Sequence, residues 1–296
     1  MEINVISVIH INSFEKWLTT LGYAASTVYL SVRCVNDFFF YLKSHNITTL
    51  EAITPETITG YYKYLQSRQR KSRDNSQGGL SPNYIAGNIN ALKRFGRYLQ
   101  ATGRGNLEIT LQPPVNKATS KLILSIADIR SMYKSCNSDY LGARDRAILD
   151  IYYGCGLRRT EGVTLDVKDV MLKEKLVFVR SGKGLRERYV PMTVSVRDSL
   201  EDYIYRWRES ILDTGTNSGA LLLNIHGKRV GGNLALERIH RLSASAGIIK
   251  PVGLHTLRHS IATHLLQSGL ALEEVSLFLG HSSLESTQIY THLANE

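Results

Sequence analysis

Between Ile11 and Leu42 the apolar residues recur at helical spacing, with Phe14, Trp17, Leu18 and Leu21 before Gly22 and Val28, Leu30, Val35, Phe38, Phe39 and Leu42 after it. The pattern predicts two helices joined near that glycine. Thr54-Pro55-Glu56 is a capping residue followed by proline in the first turn, and Ile58, Tyr61, Tyr62 and Leu65 continue a third helix. The stretch from Ser67 to Gly79 (SRQRKSRDNSQGG) has four basic residues and no apolar side chain, so a mobile surface loop is expected there. Ser81-Pro82 opens a fourth helix, whose apolar positions Ile85, Ile89, Leu92, Phe95 and Leu99 leave Asn83, Asn88, Lys93, Arg94 and Arg97 for its other faces.

From Ala101 to Thr119 the periodicity is lost and two prolines stand together, the marks of a connection between domains. The expected organisation is a small helical domain over 1–103, a linker over 104–120 and a second domain over 121–296. In the second part, Ser125-Ile-Ala-Asp128 has the form of a helix cap, and Ala143 to Tyr153 predicts a buried helix. Leu176 to Val179, a turn at Ser181-Gly-Lys-Gly184 and Arg186 to Val190 predict a hairpin, after which helical periodicity returns from Thr193. The predicted fold class is mainly α with a small antiparallel β-sheet (α+β).

Charge narrows the partner. The formal net charge is +10 in 296 residues with a pI near 9.5, which favours a polyanion. Up to Lys117 there are 13 basic and 7 acidic residues, so a net +6 lies in the first two fifths of the chain. Three scattered cysteines, Cys34, Cys136 and Cys155, fit neither metal spacing nor a complete set of bridges, as expected in a reducing compartment. The N-terminus carries Glu2 and no long apolar run, so neither a signal peptide nor a membrane span is predicted, and a cytoplasmic location is expected.

The groups able to do chemistry in the second part come in the order Arg158, Lys183, His255, Arg258, His281 and Tyr290. Taken singly, each has a plainer reading: a tyrosine near the C-terminus packs, a lysine between two glycines is solvated, and Arg158 pairs with Glu161 one turn on. His255 and Arg258 at i and i+3 share one face near a helix N-terminus, an end that favours anions. His255 and His259 have the i,i+4 spacing of a zinc helix, but Thr256 stands where a metalloprotease needs glutamate, so no metal site is predicted. A serine hydrolase is excluded too, because no glycine-flanked serine lies at a strand-to-helix elbow.

Five segments in order resemble the tyrosine recombinases, the lambda-integrase and Xer-type enzymes. They are Tyr153-Gly-Cys-Gly-Leu-Arg158-Arg-Thr-Glu161, Gly182-Lys183-Gly184 with Leu-Arg-Glu-Arg-Tyr-Val-Pro191, His255-Thr-Leu-Arg258-His259-Ser-Ile-Ala-Thr-His264, Leu279-Gly-His281, and Thr287-Gln-Ile-Tyr290-Thr-His292. The resemblance is strong over the second part and looser over the first, which would be the helical core-binding domain of such enzymes. It implies that Tyr290 forms a 3′-phosphotyrosine, that Arg158 and Arg258 stabilise the transition state, and that Lys183 protonates the leaving 5′ oxygen. His255 would act as acid or base, and His281 would bond a non-bridging oxygen. No cofactor is implied, because the phosphotyrosine keeps the bond energy for rejoining.

The implied partner is double-stranded DNA with specific recombination sites, gripped largely through phosphates, with Asn83, Asn88, Lys93, Arg94 and Arg97 as DNA-binding candidates. A dimer on each site and a tetramer in the synapse are expected, in the cytoplasm at the nucleoid. Family members commonly continue past the nucleophile into a helix that docks on a neighbour; six residues follow Tyr290 here, which leaves the coupling element open. Cys155 stands where the family often has threonine. The rival activities are nicking of the type IB topoisomerase kind and DNA binding without catalysis.

Overall fold

In the computed structural model, residues 3–69, 79–113, 122–180, 187–212 and 219–280 are described. The chain divides into two compact units, Met1–Thr119 and Ser120–Glu296. The first holds α1 (Ile3–Thr20), α2 (Ala25–Ser44), α3 (Pro55–Ser67) and α4 (Pro82–Ala101). Thr54 and Ser81 cap α3 and α4 as their sequence predicts, each side-chain oxygen accepting from the backbone N–H three residues on. Phe14, Leu18, Phe38, Tyr61, Leu92, Phe95 and Leu99 are buried in one core, where Phe14 and Phe95 meet edge to face at 5.3 Å. Gln69 and Gly79 pair as an antiparallel bridge, so both ends of the basic segment are tied; the expected mobile loop between them, 70–78, lies outside the described residues. Leu107 is buried on this core, with Ile109 and Leu111 packed beside it.

The second unit is helical around a three-stranded antiparallel sheet. Its elements are α5 (Ile126–Lys134), α6 (Tyr140–Leu149), α7 (Arg159–Thr164), β1 (Val170–Met171), β2 (Leu176–Val179) and β3 (Arg188–Pro191), then α8 (Val194–Asp202), α9 (Gly232–Ser245), α10 (Leu254–Gln267) and α11 (Leu272–Leu279). The mainly α fold with a small antiparallel sheet is thus present. β2 lies between β1 and β3, with Val177 opposite Val190 and Phe178 opposite Tyr189. Val177, Val179 and Val190 face the core against Ile148, Ile151, Tyr152, Leu221, Ile239 and Leu257. The turn predicted at 181–184 lies outside the described residues.

The buried helix read from Ala143 to Tyr153 is α6, but it runs into a π-helical turn at Asp150–Gly154. Asp150 opens that turn inside the core, where its carboxylate accepts from the Tyr133 hydroxyl at 2.8 Å and the Ser199 hydroxyl at 2.5 Å. The group therefore ties α5, the π turn and α8 together. Burial pushes its carboxyl up to about 7, against the lowering effect of the Ser199 and Tyr133 bonds and of Arg146.

The unfolded chain releases that proton near the ordinary value of 3.8, whereas the folded chain keeps it to about 7. Between those limits the folded state binds more protons, so stability falls as pH rises, by up to about 1.4 kcal/mol per pH unit. Asp150→Asn should flatten this fall in urea titrations run at intervals across the window. An unchanged slope would show that Asp150 is ionised in the folded protein.

Candidate active site

After the π turn the chain reverses at Gly156, whose φ of +60° is a conformation glycine adopts without strain. A Cβ there would lie 2.9 Å from Phe278 Cε1 and 3.1 Å from Leu279 Cδ2, so glycine also lets the turn lie against α11. This reversal delivers Arg158 to the N-cap of α7, where its backbone N–H donates to Glu161 Oε2 at 2.8 Å. Its guanidinium donates through Nη1 to Glu161 Oε1 at 2.8 Å and through Nη2 to the Gly280 carbonyl at 2.7 Å.

Arg258 arrives from the first turns of α10. Its Nη1 donates to the Gly156 carbonyl at 2.6 Å and its Nη2 to the Leu279 carbonyl at 2.7 Å, and Nη1 lies 3.9 Å from Glu161 Oε2. Arg188, at the start of β3, meets the same carboxylate in a two-bonded fork, with Nη1 and Nη2 each 3.0 Å from an oxygen. Three guanidiniums therefore converge on one buried carboxylate. Burial alone would push the Glu161 carboxyl up; the Arg188 bonds, the Arg158 backbone N–H and the neighbouring positive charges outweigh it and hold the group at about 2. Arg158 keeps 24% of its side chain exposed and Arg258 only 4%, so an anion approaching the cluster meets Arg158 first.

His255 lies one turn before Arg258, on the exposed side of α10. Desolvation of its ring, then the charges of Arg258, Arg158 and Arg159, hold the imidazole below its ordinary range, so it is neutral at pH 7. The adjacent Arg159 turns away and donates to Asn233 Oδ1 at 2.6 Å. His264 is structural, since its Nδ1 shares a hydrogen bond of 2.9 Å with the Tyr153 hydroxyl. Lys183, His281 and Tyr290 lie outside the described residues. The structure thus brings together Arg158, Arg258 and His255, and adds Arg188. Nothing in the strand pattern set Arg188 apart from Arg186 two residues earlier.

On α4, Asn83 and Arg97 are exposed and Lys93 and Arg94 half-buried, but Asn88 is 0% exposed. Its amide donates to the Tyr84 carbonyl at 2.9 Å, and its oxygen accepts from the Tyr61 hydroxyl at 3.3 Å. Asn88 is therefore removed from the DNA-binding candidates. Five residues beyond Asn83 it has turned to the opposite side of the helix, among Ile85, Ile89 and Leu92. The face of Asn83 instead carries Gly87 and the exposed Asn90, which the sequence reading missed. With Arg94 these two line a shallow groove of about 270 Å³ whose other wall is Ser26, Thr27, Leu30 and Ser31 of α2. Arg94 is fixed there, 5.8 Å from the Tyr23 ring centre and 3.5 Å from the Ser31 hydroxyl.

Residues 123–296 match the model of the phage integrase family. The chain is 31% identical over 277 residues to tyrosine recombinase XerD of Listeria innocua, covering 92% of this chain and 89% of that protein. It is 39% identical over 220 residues to tyrosine recombinase XerD of Pseudomonas putida, covering 73% of each. Among solved structures, XerH site-specific recombinase bound to difH substrate superposes with a TM-score of 0.72 at 20% identity, over 97% of this chain and 93% of that one. The chain belongs to the phage integrase family, the tyrosine recombinases. It is an enzyme that cleaves and rejoins DNA in site-specific recombination.

Glu161→Ala should cost roughly 3–5 kcal/mol of stability at pH 7, because it leaves the buried Arg258 and Arg188 without their carboxylate. A depressed carboxyl stabilises the fold above its ordinary value of 4.5, and the contribution is lost as pH falls toward about 2. Denaturant curves of both proteins should therefore converge between those pH values. A loss that is the same at pH 3 as at pH 7 would contradict the ionised cluster.

Proposed function

We propose that this recombinase cuts each strand by attack of the Tyr290 hydroxyl on a backbone phosphate. The Oη–P bond forms as the bond from phosphorus to the 5′ oxygen breaks, leaving a 3′-phosphotyrosine and a 5′-hydroxyl. Lys183 gives the leaving oxygen its proton, and neutral His255 takes the phenolic one. The freed 5′-hydroxyl of a partner strand then attacks the phosphotyrosine and gives its proton to Lys183, while His255 returns the phenolic proton to the departing Tyr290 oxygen, so both groups are reset and bond energy is kept throughout. His281 bonds a non-bridging oxygen. The observation that carries the reading is the convergence of Arg158 and Arg258 on Glu161, two guanidiniums held side by side where the charge of a pentacovalent phosphate can be met.

The core-binding role falls to the helical unit over 1–103, joined by 104–120 to a catalytic unit over 121–296. Asn83, Lys93, Arg94 and Arg97 of α4 contact the duplex, joined by Asn90 and Thr27 across the groove. Exchange between two duplexes breaks four strands, and each chain supplies one Tyr290, so four copies act together, two on each site. The likeness to proteins named XerD supports exchange between paired sites. Chromosome dimer resolution, integration and excision of a mobile element, and inversion differ in the DNA used.

The test is denaturing capture of protein–DNA adducts from cells that express the wild type or Tyr290→Phe, followed by sequencing of the attached DNA. Adducts with the wild type alone are expected, on sequences that name the task. No adduct with either protein, at equal expression and DNA affinity, reduces the proposal to DNA binding, and relaxed plasmid without exchanged strands points to a topoisomerase. Arg158→Ala should lose roughly 2–4 kcal/mol of transition-state stabilisation in the same assay. Because His255 is held below its ordinary value of 6.5, His255-dependent adduct formation should persist as pH falls through 6.5 and decline only lower. A decline centred above 6.5 that His255→Asn abolishes would contradict its neutral state.

A further inference from the structure

The last turn of α11 ends in three successive carbonyls, and each accepts from a different guanidinium. Phe278 O takes Arg188 Nε at 3.4 Å, Leu279 O takes Arg258 Nη2 at 2.7 Å, and Gly280 O takes Arg158 Nη2 at 2.7 Å. The same three side chains meet again at Glu161, so each cation spans from the carboxylate to the negative end of a helix. Gly280, at φ +64°, closes α11 where an added Cβ would stand 2.7 Å from Arg188 Nε and Cζ. The Arg188 side chain is only 11% exposed, between Glu161 and that turn.

Two of these cations are the phosphate ligands of the preceding section, and Arg188 is not. Without it, Glu161 would draw on Arg158 and Arg258 alone, and one of their two charges would be cancelled. With it, the carboxylate is met by a guanidinium that grips both oxygens. We propose that Arg188 is a positioning residue for DNA cleavage. By holding Glu161 in its two-bonded fork and the end of α11 through Phe278, it leaves Arg158 and Arg258 with their positive charge for the scissile phosphate. This inference rests on the phosphate-binding reading of those two arginines.

The test uses a nicked duplex of the sequence on which the wild type is trapped, with an ordinary phosphate or a methylphosphonate at the cleaved position. A methylphosphonate lacks the non-bridging negative charge, so it asks less of the positive charge around it. Single-turnover adduct formation should be slower in R188Q than in wild type by roughly ten- to a hundredfold on the phosphate. On the methylphosphonate the two proteins should differ by much less. R188K keeps the charge without the fork, should lose less than R188Q, and carries the comparison if thermal melting shows R188Q unfolded. The proposal is overturned if the folded variant cleaves like wild type, or if it loses the same factor on both duplexes, which marks support of the fold alone. A wild type trapped on no DNA would instead remove the phosphate reading itself, and this inference with it.

Discussion

A single buried carboxylate organises the second unit. Glu161 gathers side chains from three parts of the chain: Arg158 at the N-cap of α7, Arg188 on β3 and Arg258 on α10. Three like charges in a space with little water would repel strongly, and a lone carboxylate there would take up a proton. Together they leave a net positive cluster. The carbonyls at the end of α11 and of Gly156 accept from the same guanidiniums, so helix, strand and turn are held by the charges gathered at Glu161.

Much of this arrangement is legible in the sequence, because short-range rules act on it. Thr54, Ser81 and Ser125 announce helix starts through an oxygen placed before the first turn, and each accepts the expected backbone N–H. The antiparallel pairing of β2 with β3 follows the expectation from Leu176–Val179 and Arg186–Val190 on either side of Ser181-Gly-Lys-Gly184. Arg158 and Arg258 stand out by motif, and their shared carboxylate makes sense of the spacing of Arg158 to Glu161. Asn88 shows where a polar residue misleads: its letter suggests a surface, yet its phase on α4 puts it inside, where Tyr61 and Tyr84 satisfy it. Counting turns from Ile85 and Ile89 would have placed it correctly.

Other features are not local and so leave little trace. Arg188 matters because α11, ninety residues on, returns to lie beside β3. β1 is two residues long, too short for alternation to register. The groove between α2 and α4 depends on how two helices pack, which neither helix specifies alone. Asp150 reads as an ordinary helical aspartate until its burial against α5 and α8 is seen.

The π turn at Asp150–Gly154 also bears on how this chain can change length. Such a turn accommodates one residue more than the α-helical ladder around it. Deleting a single residue there would let the ladder close regularly, with the chain downstream keeping nearly its present direction. The same deletion within the regular turns of α6 would wind everything downstream back by about 100° and draw it in by about 1.5 Å, carrying Gly156 from beneath α11 and Arg158 from its N-cap with every side chain of the cluster still encoded. A lost residue is therefore absorbed at this turn but is a lesion of register in the helix before it, a difference invisible to any account that weighs residues one at a time.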